Sequence, residues 1–466
     1  MKKIVMKFGG TSIGNGEHIQ HVANLINNYV SQGRQIVVVV SALESVTDDL
    51  IKAAERAKDG NRDYLHEFLQ KTTQKHITAA KMTIEKKHLQ KDIEQKLKAT
   101  IKELENVLTG IIYLGELTPK SKDYVLSFGE RLSTIIMWGA LRNLELKTQY
   151  FTGKDVGIIT DSNFGEARPL LKMTAHQVKQ KIELLLKKKF VPVITGFIAA
   201  TQDGEVTTLG RGGSDYTATI IATALDADEV WIWTDVDGLM TSDPEIISSA
   251  KIIPELSFQE AMEMAIFGAK AMHPRALEPA MERNIPVRIR NTFNPEKPGT
   301  LIVEEQKIKP HDIVKAITII KGLALVNVSG AGMVGTPGTA AKVFNILGKN
   351  NINVLMISQS ASEANISFIL QREMLEKAVS TLEIALLGRG LIRKVTAEDD
   401  VCVIAIVGAA MKGTPGVAAR VFGAVADRGV NVHMIAQGSS ELNISFVVKE
   451  VDGEETVRAI HEEFKL

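Results

Sequence analysis

A single cysteine, Cys402, stands among the 466 residues. No internal disulfide can form, which excludes a cross-linked secreted scaffold and suits a reducing compartment. The cysteine lies in an apolar run, VCVIAIV, where a thiol packs as a small hydrophobe without a catalytic role. Net charge is missing as well. Lys+Arg and Asp+Glu each total 55, so no overall basic field exists to hold nucleic acid or an anionic membrane. No run of about 18 apolar residues occurs, so no segment reads as a membrane-spanning helix. The start, MKKIVMKFGG, has the charge of a signal peptide, but Lys7 and two glycines interrupt any apolar stretch behind it. The chain is expected in the cytoplasm.

What is present is the composition of a soluble globular protein, 45% hydrophobic and 24% charged. Its length predicts two or three domains. In the first half, short apolar runs at 4–8, 36–40, 191–199, 230–234 and 287–290 read as strands buried on both faces. Helical stretches separate them, which predicts an α/β fold with a mainly parallel sheet. From about 52 to 125 the chain turns Lys- and Glu-rich. There Ile93, Leu97, Ile101, Leu104 and Leu108 form a stripe at helical spacing. This is a helical elaboration of a catalytic domain covering 1–300, its charges a solvated face. Asn294-Pro-Glu-Lys-Pro-Gly-Thr300 marks the boundary.

Beyond the boundary the sequence repeats itself. Gly330-Ala-Gly-Met-Val-Gly-Thr-Pro-Gly338 returns as Gly408-Ala-Ala-Met-Lys-Gly-Thr-Pro-Gly416. Asn353-Val354, Gln359 and Asn365-Ile-Ser-Phe368 return at the same offset of 78 residues, which means a duplicated module. Each copy reads strand, glycine turn, helix, strand, strand, helix, a ferredoxin-like pattern. In the first copy the opening strand is expected at 323–328, the helix at 339–347, a later strand at 366–370 and a second helix from about 374. The two copies, at 321–397 and 398–466 after a linker at 301–320, resemble a tandem pair of ACT domains, the small-molecule sensing module of amino-acid metabolism.

The first half carries the candidate chemistry. Lys7-Phe-Gly-Gly-Thr-Ser12 follows the first strand; its glycines let backbone N–H groups approach phosphate oxygens, and lysine adds a point charge. It lacks the order of the ordinary phosphate loop, and a glycine turn after a strand is also simply structural. Ser127-Phe-Gly-Glu-Arg131 could be no more than an exposed ion pair on a helix. In Thr208-Leu-Gly-Arg-Gly-Gly-Ser-Asp215 three glycines surround Arg211, which suits bidentate recognition of a small carboxylate. Ser214 and Asp215 would cap a helix starting at Tyr216. Trp231-Ile-Trp-Thr-Asp235 ends a strand, and ligands gather beyond such ends in parallel sheets. Lys270, in Gly268-Ala-Lys-Ala-Met-His-Pro274, is a second candidate phosphate-binding cation, while His273 reads as a structural histidine.

Taken together, KFGGTS, SFGER, TLGRGGSD, WTDVDG and GAKAMHP, followed by twin ACT modules, resemble the aspartate kinase branch of the amino-acid kinase family over essentially the whole chain. The resemblance implies a three-layer amino-acid kinase sandwich with a mainly parallel central sheet, plus C-terminal α+β ferredoxin-like tandem ACT domains. One ACT unit is inserted into the other in that family, so 313–320 is expected to give a strand to the second. The implied reaction moves the γ-phosphoryl group of ATP to the side-chain carboxylate of L-aspartate, the first step of lysine, threonine and methionine biosynthesis. That carboxylate is ionised at neutral pH and needs no general base. By resemblance Lys7, with Gly9 and Gly10, cradles phosphates; Arg211 clamps the substrate α-carboxylate; Glu130 pairs with its α-ammonium. Ser41, Thr47 and Ser214 line the aspartate pocket, and Asp215 orients Lys7. Thr234, Asp235, Met240, Lys270 and Ala271 match nucleotide contacts. Mg2+ is expected on the nucleotide phosphates and water, with no metal cluster of protein ligands.

Two positions depart from the family. Met240 stands where a tyrosine is common, and Glu245 where an arginine follows the Asp-Pro. Met240 can still pack on an adenosine face; Glu245 is expected to point outward, with another cation serving the phosphates. The effector region of the first ACT unit matches Met333, Gly338, Thr339, Asn353, Val354 and Gln359. Leu355 replaces the acid common in lysine-inhibited relatives, and a lysine ammonium buried without a carboxylate is costly. Threonine is therefore favoured over lysine as effector. ACT units pair side by side, which implies a homodimer or homotetramer. No homoserine dehydrogenase half follows, so the chain is expected to be monofunctional. The rival readings are a glutamate or N-acetylglutamate kinase, and an ACT amino-acid sensor whose kinase half has decayed.

Overall fold

The structure is a computed structural model and describes residues 2–268, 272–304, 306, 313–387, 392–438 and 440–466. Lys270 and Ala271, two of the expected nucleotide contacts, lie outside the described residues. The chain divides into two compact units. The first takes Met1–Leu239, Pro254–Phe258 and Ala271–Gln306; the second takes Met240–Ile253, Gln259–Lys270 and Lys307–Leu466.

In the first unit the chain runs β1 (Lys3–Phe8), α1 (Gly16–Ser31), β2 (Gln35–Val40), α2 (Val46–Lys58), α3 (Arg62–Thr83), α4 (Lys87–Leu114), α5 (Pro119–Leu126) and α6 (Phe128–Asn143). It continues with β3 (Thr148–Phe151), α7 (Gly153–Val156), β4 (Ile159–Thr160), α8 (Leu171–Lys187), β5 (Val191–Thr195), β6 (Ile198–Thr201), β7 (Val206–Thr208), α9 (Gly213–Leu225) and β8 (Glu229–Thr234). After β9 (Glu255–Ser257) and α10 (Phe258–Ile266), which leads into the second unit, come α11 (Glu278–Glu282), β10 (Val287–Asn291) and β11 (Thr300–Val303). Eight strands form one sheet in the order β3-β5-β2-β1-β8-β10-β11-β9, and β4, β6 and β7 form a smaller one. Within the large sheet only the β10–β11 pairing is antiparallel. The continuous apolar runs end up buried on both faces, with Ile36 to Val40 all inaccessible.

The Lys- and Glu-rich stretch forms α2 to α4. Its stripe Ile93, Leu97, Ile101, Leu104 and Leu108 is buried in the core of this unit, and the charges face solvent. One expected strand is divided. The 191–199 run breaks at Gly196 and Phe197 into β5 of the large sheet and β6 of the small one. Phe197 takes a left-handed φ of 65°, an unusual conformation for a bulky side chain, and it turns the chain from one sheet to the other.

The second unit holds β12 (Ala316–Ser329), α12 (Thr339–Lys349), β13 (Met356–Gln359), β14 (Asn365–Gln371), α13 (Leu375–Leu386), β15 (Lys394–Val407), α14 (Val417–Asp427), β16 (Met434–Ala436), β17 (Asn443–Lys449) and α15 (Gly453–Phe464). Its six strands run β13-β14-β12-β15-β17-β16. Residues 323–329 of β12 pair with β14, whereas 316–320 pair with 403–407 of β15, with register shifts between. One long strand therefore serves both modules. Two separate cores lie under the helices, and a third, with Leu323, Ile369, Val401, Val403 and Val447, draws on both modules. No helix among the described residues is long and apolar enough to cross a membrane.

Candidate active site

The central strand β1 ends in Lys7-Phe8, flanked in parallel by β2 and β8. Its turn is tied to β8 by the Gly9 N–H, which donates to the Trp233 carbonyl at 3.3 Å. Gly10 lies close against the next loop: a Cβ there would come within 3.2 Å of the Ala42 carbonyl oxygen. The Lys7 ammonium sits 3.5 Å from the place a Gly9 Cβ would take. It forms an ion pair with Asp215 at 2.5 Å, both side chains being largely buried.

Asp215 belongs to the first turn of α9, which starts earlier than its sequence suggests. Gly212, at φ 70°, is the residue before the helix, and no side chain caps it. The expected capping of a helix from Tyr216 by Ser214 and Asp215 is thus corrected: both are inside the helix, because the left-handed glycine already turns the chain. Ser214 instead packs on Gly196, whose Cβ would fall 2.4 Å from Ser214 Oγ. Gly210 and Gly212 both take positive φ and bracket Arg211, which is exposed. The α9 N-terminus and Arg211 together favour an anion.

Glu130 supplies a buried carboxyl. It lies in the first turn of α6, 4% exposed, and its Oε2 has no hydrogen-bond partner. Burial pushes its carboxyl up to about 8, against the opposing effects of the Ala42 amide, its own amide and the Lys7 ammonium. Its sequence neighbour Arg131 turns the other way and grips Glu103 of α4 in a two-pronged bond, with Tyr124 as a third member. The SFGER segment therefore splits into one residue for the cleft and one for the scaffold.

A cleft of about 980 Å³ gathers Lys7, Gly10, Ser41, Thr47, Glu130, Arg211, Ser214 and Asp215. Thr234 and Asp235 stand at the end of β8, beside the Gly9 turn, with Thr234 Oγ1 donating to Asp235 at 3.0 Å. Met240 is half-buried, its backbone bridged to Ile252 in the second unit. Glu245 is exposed. Among the described residues no group of three or more His, Cys, Asp or Glu is arranged to hold a metal ion.

The cleft also contains residues that the sequence did not single out. Asp123 of α5 is 1% exposed and accepts from the Gly165 and Thr208 amides at 2.9 Å each and from Thr208 Oγ1 at 2.8 Å. Burial raises its carboxyl above the ordinary range, opposed by those donors. Asp123 lies in α5 and Glu130 in α6, with the helix interrupted at Ser127, so no spacing along one helix signals the pair in the sequence. His273 lies beneath Gly212, where a Cβ would come 2.4 Å from its own, and burial followed by the nearby Arg211 holds the imidazole below its usual range.

In the second unit the expected effector residues are spread over a glycine turn and its surroundings. Met333 and Thr339 are buried, Gly338 takes φ 82° before α12, Val354 is half-buried, and Asn353 and Gln359 are exposed. Leu355 packs into the core shared by the two modules, and His433 pairs with Glu398 at 2.9 Å.

The sequence profile of the amino acid kinase family matches residues 2–291, and that of the ACT domain matches 326–386 and 404–464. The chain is 36% identical to a chloroplastic bifunctional aspartokinase/homoserine dehydrogenase 1 of Zea mays, over 99% of its own length. It spans about half the length of that relative, 50%. It is 34% identical to the chloroplastic aspartokinase 1 of Arabidopsis thaliana, over 99% of this chain and 80% of the relative. The fold is similar to that of E. coli aspartokinase III in complex with aspartate and ADP, at 29% identity and a TM-score of 0.84, with both chains fully covered. The same enzyme in complex with lysine and aspartate gives a TM-score of 0.82.

Proposed function

The chain belongs to the amino acid kinase family, in its aspartokinase branch with ACT domains, and from that premise we propose that it transfers the γ-phosphoryl group of ATP to the side-chain carboxylate of L-aspartate. The observation that carries this reading is the buried Glu130 carboxyl, whose Oε2 has no hydrogen-bond partner, in one cleft with Lys7 and Arg211. A buried carboxylate calls for a cation, and an acceptor with an α-ammonium provides one. Arg211, with the start of α9, receives the α-carboxylate. The side-chain carboxylate is then directed to the glycine turn that carries Lys7.

Transfer joins a carboxylate oxygen to the γ-phosphorus while the bond to the β-phosphate oxygen breaks, releasing ADP and 4-phospho-L-aspartate. Both oxygens are anionic, so positioning and charge neutralisation supply the rate. Lys7 provides the charge, held in place by Asp215. The Gly9-Gly10 turn, which carries no side chain, is proposed to let phosphate oxygens approach. Thr234, Asp235, Met240, Lys270 and Ala271 are proposed nucleotide contacts. Magnesium, for which the described residues offer no cluster of three or more His, Cys, Asp or Glu, would arrive with the nucleotide and supply charge neutralisation in the same place.

N-acetylglutamate has no ammonium for Glu130 and is disfavoured as acceptor. Glutamate keeps the ammonium but is one methylene longer. A coupled ADP-release assay with aspartate, glutamate and N-acetylglutamate tests the reading: fastest turnover is expected with aspartate, and faster turnover with glutamate would overturn it. The ACT modules are proposed to impose feedback by an amino acid. The E. coli structures were obtained with lysine in one case and ADP in the other. Leu355 offers a lysine ammonium no carboxylate here, so threonine is the proposed effector, bound about Gly338, Thr339 and Gln359 in a homo-oligomer paired through ACT units. Activity measured with threonine, lysine and methionine in turn decides between them; inhibition by lysine alone would reverse the assignment. The buried thiol of Cys402 suits a cytoplasmic enzyme.

A further inference from the structure

We propose that Asp123 is a positioning residue for Arg211, fixing the substrate-carboxylate clamp through two turns that it holds at once. The proposal deepens the aspartate kinase reading and rests on it. Arg211 is exposed on a turn whose two flanking glycines take left-handed φ. Such a turn has little intrinsic rigidity. A guanidinium clamp at its tip is only as well placed as the arm beneath it.

That arm ends at Thr208, and Asp123 binds it twice, through the amide at 2.9 Å and through Oγ1 at 2.8 Å. The same carboxylate accepts from the Gly165 amide at 2.9 Å. Gly165 is in turn what Gly210 lies against: a Cβ on Gly210 would come 3.3 Å from the Gly165 carbonyl oxygen. The Ala167 N–H donates to the Thr208 carbonyl at 3.0 Å, so the 164–167 segment and the Arg211 arm form one braced unit. Asp123 is the side chain common to both, and it is buried where water cannot replace it. Charge-assisted bonds of this kind are short and directional. An amide in its place keeps one acceptor but turns an NH2 toward backbone donors, which breaks the brace without removing volume.

The test uses the full chain with steady-state kinetics. In Asp123→Asn the aspartate KM is expected to rise about tenfold or more, since small misplacements of a positioning group are costly, while the ATP KM stays within about twofold. Thr208→Val, which loses only the hydroxyl, should move the aspartate KM in the same direction by less. In an Arg211→Ala background, Asp123→Asn should cause no further loss of kcat/KM for aspartate, because residues acting through one another are non-additive. Additive losses, an equal rise in the ATP KM, or an unmoved aspartate KM would each overturn the proposal. Should Asp123→Asn fail to fold, the cycle of Thr208→Val with Arg211→Ala carries the same decision. Absence of aspartate turnover in the unaltered chain overturns the functional reading itself; normal turnover there with an unmoved aspartate KM in the variants overturns the positioning role alone.

Discussion

A carboxyl whose environment raises its affinity for a proton makes the stability of the folded chain depend on pH. Glu130 binds its proton up to about pH 8 in the folded chain, from an ordinary value of 4.5. Between those values the folded state holds more protons than the unfolded one, so stability is greatest below the lower value and is lost as the pH rises to the upper. Glu130→Gln removes this dependence. Its thermal midpoint should exceed that of the unaltered chain at pH 8 and converge with it near pH 5, and equal differences at both would count against a buried carboxyl. The same substitution removes the partner of the substrate ammonium. The aspartate KM is expected to rise by roughly 30-fold or more, the scale of losing one member of a buried charged pair. Glu245 lies at the opposite extreme. It is exposed and its amide is engaged with Asp243 at 2.9 Å, so Glu245→Lys should leave the ATP KM within about twofold, as expected of a site with no shared partners. A tenfold drop in that KM would place this side chain at the phosphates. Arg211 stands out in the sequence because three glycines surround it, whereas Glu130 reads there as half of an exposed ion pair and is singled out only by the family resemblance. Asp123 was not legible, since an aspartate in Lys120-Ser-Lys-Asp-Tyr124 reads as a surface residue. Its burial depends on Gly165 and Thr208, which lie 42 and 85 residues away.

At the scale of elements, periodicity located most strands and helices and failed where the chain changes sheets. The 191–199 run is apolar throughout, so no alternation marks where β5 ends and β6 begins. Only Gly196 betrays the break, and the reason for it is tertiary: the first turn of α9 occupies the space beside it. A methyl group at Gly196 would sit 2.4 Å from Ser214 Oγ and 2.9 Å from Ser214 Cα. The backbone contact leaves no rotamer that relieves it. Gly196→Ala is therefore expected to cost about 1–3 kcal/mol, the usual range for forced overpacking. Because Ser214 lies one residue from Asp215, the shift should also lower kcat/KM for aspartate. Thermal denaturation with kinetics on the same preparation checks both, and a variant as stable and active as the unaltered chain would mean that the two segments move apart freely. The start of α9 was misjudged for a related cause. Ser and Asp ahead of an apolar run look like caps, yet Gly212 had already turned the chain into the helix.

Across the whole molecule, the duplication was legible because its offset never varies, but the way the copies share strands is not written in any repeat. The expectation that 313–320 would join the second copy came from family resemblance and not from the residues. Pairing partners are chosen by contacts distant in sequence. In the folded second unit β12 has two duties, its 316–320 portion pairing with β15 at 403–407 and its 323–329 portion with β14. The core between the modules mixes Leu323, Leu325, Met356 and Ile369 with Val401, Val403, Met434 and Val447. These modules are therefore not separable beads. A chain cut after Ala397 keeps the whole first repeat but strips 316–320 of the ladder it forms with 403–407 and leaves Ile317 without the core of Ile404, Ile406 and Phe446. It also uncovers the first module's half of the shared core. An unpaired apolar strand beside an apolar face is a template for association. The truncated chain should be largely insoluble, or elute as aggregates in size-exclusion chromatography, rather than behave as an enzyme with one sensor. A monodisperse, active product with threonine sensitivity would show instead that the first repeat folds without its sister, and that the long strand is shared by convenience and not by need.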